Sequence, residues 1–148
     1  MTCKLLATVL MLGSAVCAAA DKQVIYVKVV EGMVFVPVKV NGSDVLLMLD
    51  TGATNTVVSP KAVHVPVNAA SQMATVTEGH QQVNVAVARL DVKLGEARID
   101  SAVVVLTDLS PAQAARYGKF DGLLGQNVLS QFKSVRIDYQ NKVIELER

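Results

Sequence analysis

An apolar run that ends in a carboxylate constrains this chain more than any other stretch. Val45–Leu49 supplies five consecutive apolar residues, which predict a strand buried on both faces. The residues that follow it are Asp50, Thr51, Gly52, Ala53 and Thr54. A buried strand is a rigid support, so it holds the Asp50 carboxylate at the edge of a core, and Gly52 lets the backbone turn sharply. The same residues also suit a plain turn at the end of a strand, so a second signal is needed.

That second signal lies about seventy residues later, in the stretch Phe120–Phe132. It contains Asp121-Gly122 and then Leu123-Leu124-Gly125, followed by a short apolar segment. The two stretches resemble the two motifs of the retroviral-type (retropepsin-like) aspartic proteases: the Asp-Thr-Gly-Ala active-site segment, and a hydrophobic-hydrophobic-glycine motif followed by a short C-terminal helix. In that family the second motif closes a psi-shaped loop beneath the active-site turn. The resemblance implies that Gly125 is the position where the two backbones approach.

The resemblance covers nearly all of the chain from about Val24 to Leu146. It implies a mainly β, single-domain retropepsin-like fold, a closed β-barrel of the acid-protease type with a flap hairpin and one or two short helices. The composition points to β structure independently, because valine is abundant, aromatic residues make up 4% of the chain and tryptophan is absent.

The valine pattern predicts individual strands. Val24–Val30 is one candidate, and alternate valines from Val34 to Val40 share one face of the next. Pro37 lacks a backbone donor, which indicates an edge or a bulge there. Asn41-Gly42 predicts a hairpin that returns the chain directly into the Asp50 strand.

Three further elements are predicted later in the chain. Ser110-Pro111 predicts the start of a short helix that Gly118 stops. Val135–Leu146 predicts a final hairpin. Met73–Val87 predicts a hairpin with Glu78, Gly79 and His80 at its tip. The resemblance implies that this hairpin is the flap that folds over bound substrate.

Metal and cofactor chemistry finds no support in the sequence. The chain has two histidines, His64 and His80, which lie far apart and have no acidic cluster beside them. Its two cysteines, Cys3 and Cys17, both lie in the N-terminal segment Met1–Ala20. We therefore expect no metal site and no cofactor.

Met1–Ala20 has the pattern of a cleaved signal peptide. Lys4 is followed by an apolar stretch too short to span a bilayer comfortably, and three alanines ending at Ala20 suit a signal peptidase. Lipidation at Cys17 is a weaker alternative, because the residues before it fit poorly. The prediction is an exported protein, periplasmic or secreted, whose single domain spans residues 21–148 and which has no membrane attachment after cleavage.

The charge balance of that domain gives no support to two classes of partner. Without Lys4 the fourteen basic residues become thirteen, equal to the thirteen acidic ones. A balanced chain without basic runs gives no reason to expect nucleic acid or an anionic membrane surface as a partner.

The resemblance also implies an activity, the hydrolysis of peptide bonds in a peptide or protein substrate. Aspartic proteases use two facing carboxylates that share a proton and activate a water molecule. This chain has one Asp-Thr-Gly, and Asp121-Gly122 is not a second copy because Leu123 follows it. If the chain is a protease, a homodimer is therefore required, with Asp50 as the catalytic residue of each subunit. The resemblance implies that Thr51 hydrogen-bonds across the two-fold axis and that terminal strands contribute to the interface.

Two other functions are compatible with the sequence. One is a catalytically silent module of the same fold that binds extended peptides at a sheet edge. The intact Asp50, Thr51 and Gly52 argue against it, because a binding module has no need of that carboxylate. The other is an unrelated exported β-domain with a structural or adhesive role, in which replacing Asp50 alters no catalytic rate.

Overall fold

Two β-sheets make up most of the protein: the smaller one is antiparallel, and the larger one is mixed. The computed structural model describes residues 22–66, 72–78, 81–108 and 115–148. Eleven strands lie in these ranges: β1 (Lys22–Tyr26), β2 (Lys28–Val30), β3 (Met33–Val40), β4 (Ser43–Leu49), β5 (Thr56–Val58), β6 (Gln72–Glu78), β7 (Gln81–Leu94), β8 (Ala97–Leu106), β9 (Gly122–Leu124), β10 (Ser134–Asp138) and β11 (Val143–Glu147). A helix of four residues, α1 (Gln126–Leu129), follows β9. The prediction of a mainly β chain is confirmed.

The larger sheet curls back on itself. Its eight strands have the order β2-β3-β4-β9-β5-β8-β7-β6. β3 also pairs with β7, with Lys39 opposite Lys93 and Val40 opposite Val92. Because these strands are each second from an edge of the sheet, two residue pairs join its ends and enclose a core. The core residues with no exposed surface are Val36, Val40, Leu47, Val58, Val92, Leu94, Val104, Leu124, Val128 and Ile144.

Both ends of the described chain meet in the smaller sheet. β11 lies in its centre, with β1 on one side and β10 on the other. The predicted final hairpin is formed by β10 and β11. One face of this sheet packs on the core through Ile25, Ile144 and Leu146, whereas Tyr26 on the other face is 79% exposed. Since β11 is paired on both sides, the free edges of the smaller sheet are β1 and β10.

Pro37 occupies a gap in the pairing of β3. On one side of β3, the partner β2 pairs with residues Met33–Phe35, and β7 pairs with Lys39 and Val40. Pro37 lies between these two ladders, so the N–H that proline lacks is not needed. The sequence predicted an edge or bulge here, and the structure has a locally unpaired stretch in a strand that is otherwise internal.

Turns follow the sequence closely where glycine defines them. Asn41 and Gly42 both have positive φ, 47° and 85°, as a tight hairpin turn requires.

β6 and β7 form the predicted hairpin and pair from Gln72 opposite Val87 to Glu78 opposite Gln81. Gly79 and His80 lie outside the described residues. Residues 115–117 form a helical turn that ends before Gly118, while Ser110-Pro111 also lies outside the described residues.

A bulge where β7 meets β8 is stabilised by one carboxylate. The register shifts between Leu90 and Val92, so Asp91 faces a stretch of β8 in which Ser101 has a φ of 54°. Asp91 accepts hydrogen bonds from the Ser101 N–H (3.1 Å) and from the Arg98 guanidinium (2.6 Å). The Ser101 N–H, with Arg98 beside it, holds the pKa of Asp91 below its usual value.

We expect Asp91→Asn to lower stability at neutral pH and to lose this effect in acid. Because the pKa of Asp91 is lower in the folded chain than in the unfolded chain, the ionised carboxylate stabilises the fold, and this contribution disappears as the pH falls through the folded value. Urea unfolding at pH 7 and at pH values below 3.8 measures the difference from the wild type. Asp100→Asn is the control, since Asp100 also pairs with Arg98 but accepts no described bond from Ser101. A difference that is independent of pH contradicts the prediction.

Candidate active site

β9 is inserted between β4 and β5, and this insertion creates the site. It runs parallel to β4, with Leu47 opposite Gly122 and Leu49 opposite Leu124, and antiparallel to β5. A Cβ atom at Gly122 would overlap the carbonyl group of Val57, so only glycine fits there. At Gly122 the backbones of β9 and β5 therefore lie closer together than any residue with a side chain would allow.

Asp50 begins the turn that leaves β4. Its backbone N–H donates to the Leu124 carbonyl (3.1 Å), which continues the ladder between β4 and β9 by one residue. The Gly52 N–H donates to Oδ1 of Asp50 (2.8 Å), and the Ala53 N–H donates to the Asp50 carbonyl (3.3 Å). Asp50 is partly exposed, and Thr51, Gly52 and Thr54 are exposed. The turn therefore presents a fixed carboxylate to solvent.

The turn and helix α1 cap each other. The first N–H groups of a helix have no partner within it, and α1 has no side-chain cap. Instead the N–H groups of Gln126 and Asn127 donate to the carbonyls of Ala53 (2.8 Å) and Thr54 (3.1 Å). The backbones approach so closely that a Cβ atom at Gly125 would lie 2.5 Å from the carbonyl carbon of Asn55.

A buried polar network lies beneath the turn, and sequence reasoning missed it. Thr56 is completely buried, and its hydroxyl accepts from the Gly125 N–H (3.2 Å) and donates to Oδ1 of Asn127 (3.0 Å). Oδ1 of Asn127 also accepts from the Thr56 N–H (2.8 Å), and its Nδ2 donates to the Val103 carbonyl (2.7 Å). One signal was available: Asn127 is a polar residue one position before the buried Val128.

Residues before β9 fix its position on the larger sheet. Asp121 accepts the Leu46 N–H through Oδ2 (2.9 Å), and its own N–H donates to the Leu46 carbonyl (2.8 Å). The ring of Phe120 packs edge-on against the buried ring of Phe35 with 5.3 Å between centroids. Asp121, which is not a second copy of the Asp-Thr-Gly motif, thus extends the ladder that supports the first.

One face of β4 is only half-buried, whereas the sequence predicted a strand buried on both faces. Val45 and Leu47 are buried, whereas Leu46 and Met48 are only half-buried. Met48 lies opposite Leu123, which lies opposite Val57, and all three are half-buried. Because neighbours across a sheet project on the same side, these residues form an apolar surface on the strands that carry the turn.

The structure brings the two predicted motifs together, whereas most of the predicted flap tip lies outside the described residues. The turn of Asp50, Thr51, Gly52, Ala53 and Thr54 packs directly on the segment of Leu123, Leu124 and Gly125. At the predicted flap tip, Gly79 and His80 lie outside the described residues, and Glu78 is described by its backbone pairing alone. Among the residues that the structure describes, no group of three histidine, cysteine or carboxylate side chains could hold a metal ion. Within the same ranges, no helix is long and apolar enough to span a membrane.

Comparisons with known proteins point in one direction. A family model described as aspartyl protease matches residues 36–128, a range that includes β4, the Asp50 turn and β9. The chain is similar to the crystal structure of a retropepsin-like aspartic protease from Rickettsia conorii, with a TM-score of 0.59 and 19% sequence identity. The similarity covers 87% of this chain and 92% of that chain. No curated protein matches the chain.

We expect Thr56→Val to lower the free energy of unfolding by about 1–3 kcal/mol, because it leaves the buried Gly125 N–H without its acceptor. Valine has nearly the same shape, so the change removes a hydroxyl group without opening a cavity. Chemical unfolding measures the loss. Thr107→Val is the matched control, since Thr107 is only half-buried and follows β8. Equal losses in the two variants would show that the network adds no stability.

Proposed function

This chain belongs to the retropepsin-like aspartyl protease family, and on that basis we propose that it is an exported aspartic endopeptidase with an active site shared by two copies of the chain. The observation that carries the proposal is the Asp50 turn. Its carboxylate is accessible, receives a hydrogen bond from Gly52 and is held by the backbone of β9. The signal-peptide pattern of Met1–Ala20 supports the proposal of export.

The proposed chemistry needs two Asp50 carboxylates that face each other across one water molecule. Two carboxylates at that distance share a proton, since both cannot be ionised comfortably. The ionised member takes a proton from the water as the water attacks the peptide carbonyl, and the protonated member donates to the carbonyl oxygen. A proton then reaches the leaving nitrogen as the C–N bond breaks. The two carboxylates titrate as a pair, so neither role belongs to a fixed copy.

A second copy is needed because each chain supplies one such carboxylate. A two-fold axis beside the turn would bring the exposed Thr51 of each subunit near its counterpart, as the sequence resemblance implies. The smaller sheet limits how the copies can meet. Because β11 is paired on both sides, the edges of this sheet that are open to a partner strand are β10 and β1.

The apolar surface of Met48, Val57 and Leu123 supports a preference for substrates with apolar side chains. Met48 and Val57 belong to the strands that flank the Asp50 turn, and Leu123 belongs to β9, which lies between those strands. A substrate side chain that covers them removes apolar area from water, which favours binding by about 25 cal/mol per Å². We therefore propose that the preferred substrates are extended peptides with apolar residues next to the cleaved bond.

We expect Asp50→Asn to abolish cleavage while leaving the fold intact. Asparagine keeps the shape and can still accept the Gly52 N–H through its oxygen, but it cannot take a proton from water. The assay uses protein that starts at Asp21, a degenerate peptide library and a range of pH values. Rates should fall by at least about a thousandfold. Asp44→Asn is the control, because Asp44 is an exposed carboxylate near the other end of β4.

A folded wild-type protein that binds peptides without cleaving them would favour the silent module. Cleavage that persists in Asp50→Asn would overturn the proposed mechanism.

Mixing the two forms tests whether the site is shared. At a concentration where specific activity no longer changes on dilution, a tenfold excess of Asp50→Asn should place most wild-type subunits in mixed dimers. Each mixed dimer has one carboxylate, so activity per wild-type subunit should fall about tenfold after subunits exchange. The same excess of an inert, unrelated protein is the control. Unchanged activity would mean that one chain holds a complete site.

A further inference from the structure

Gln126 touches the Asp50 turn at two points. It is the first residue of α1 and its side chain is exposed. The side-chain Nε2 donates to the Thr51 carbonyl (3.1 Å), and the backbone N–H donates to the Ala53 carbonyl (2.8 Å). A carbonyl offers lone pairs only, so it is the amide nitrogen of Gln126 that must face it. One residue thus holds two peptide units of the turn, Thr51–Gly52 and Ala53–Thr54.

The Thr51 carbonyl is chemically linked to the Asp50 carboxylate. The carbonyl of Thr51 and the N–H of Gly52 belong to the same peptide unit, and that N–H donates to Oδ1 of Asp50 (2.8 Å). Hydrogen bonds in such a chain polarise one another, because a donor on the carbonyl makes the N–H a stronger donor. A continuous chain of hydrogen bonds therefore runs from the Gln126 amide, through the Thr51–Gly52 peptide unit, to the Asp50 carboxylate.

We propose that Gln126 is a positioning residue for the reaction, which acts through the Thr51–Gly52 peptide unit to hold the Asp50 carboxylate in place. The inference rests on the proposed function for its kinetic consequences, whereas the hydrogen-bond chain itself can be tested without any activity. Loss of the Gln126 donor should weaken the hydrogen bond that the Gly52 N–H donates to Asp50 and leave the carboxylate less firmly held.

Few charged side chains are available to hold the Asp50 carboxylate in place of Gln126. Residues 51–58 and 122–130, which form the turn and the segments packed on it, contain no aspartate, glutamate, lysine, arginine or histidine. Asp121 lies just outside them and bonds to the Leu46 N–H. In the proposed dimer the group that faces Asp50 is Asp50 of the partner subunit. Glu78 and His80, in the hairpin expected to cover the site, are unchanged in the variants compared below.

Gln126→Met is the most direct test. Methionine has a similar length and a good helix propensity but no donor. We expect kcat to fall about three- to tenfold with KM changed less than twofold, because the lost interaction acts on the reacting carboxylate and not on substrate binding. Gln131→Met is the matched control, since Gln131 is an exposed glutamine just after the same helix and should leave both quantities unchanged.

A second measurement separates this inference from the proposed function. The Gly52 amide proton shift in a ¹H–¹⁵N NMR spectrum reports the strength of the hydrogen bond that this N–H donates to Asp50, whether or not peptides are cleaved. We expect the proton to resonate further upfield in Gln126→Met and in Gln126→Ala than in the wild type and in Gln131→Met, because a weaker hydrogen bond deshields it less. Identical Gly52 amide shifts in all four proteins would overturn the role of Gln126. Failure of Asp50→Asn to reduce cleavage would overturn the proposed function and leave the NMR result to decide this inference.

Discussion

The hydrogen bonds between the Asp50 turn and the start of α1 are the contact on which the site depends. A turn of exposed, small residues has little apolar surface with which to hold its shape. A helix of four residues is likewise too short to be stable alone. Each supplies what the other lacks: the turn offers carbonyls, and the helix offers N–H groups that its own backbone cannot satisfy. Neither segment would keep its conformation without the other.

Small side chains and internal polar groups make this contact possible. Gly122 and Gly125 lie where backbones come too close for any Cβ atom, and there is no room for a conventional apolar layer between them and β5. Thr56 and Asn127 fill that space with hydrogen bonds to groups that would otherwise be buried without partners. No buried side-chain polar atom of the described residues lacks a partner, so the low local dielectric strengthens the network at no cost from unpaired groups.

The parts of the fold that sequence could predict are those with a local physical cause. Asn41-Gly42 defines its own turn, and the two motifs carry glycines whose positions have a steric reason. Thr56 and Asn127 could not be identified because an isolated polar residue gives no sign of burial until its neighbours in space are known. The pairing of β1 with β11 was equally hidden, since no local pattern links the two ends of a chain. The half-buried face of β4 could not be predicted, because a run of five apolar residues has the same pattern whether protein covers both faces or one face is left open to a ligand.

The insertion of β9 also determines when the site can exist during synthesis. β4 and β5 emerge from the ribosome first, but the slot between them is filled by residues 122–124, which appear much later. Contacts between such distant segments form slowly, because a long loop must close before they are gained. The partner of β1 is β11, which is synthesised later still. A growing chain therefore cannot assemble the Asp50 turn until residues 122–127 have been made, so the site forms well after the two strands that flank it.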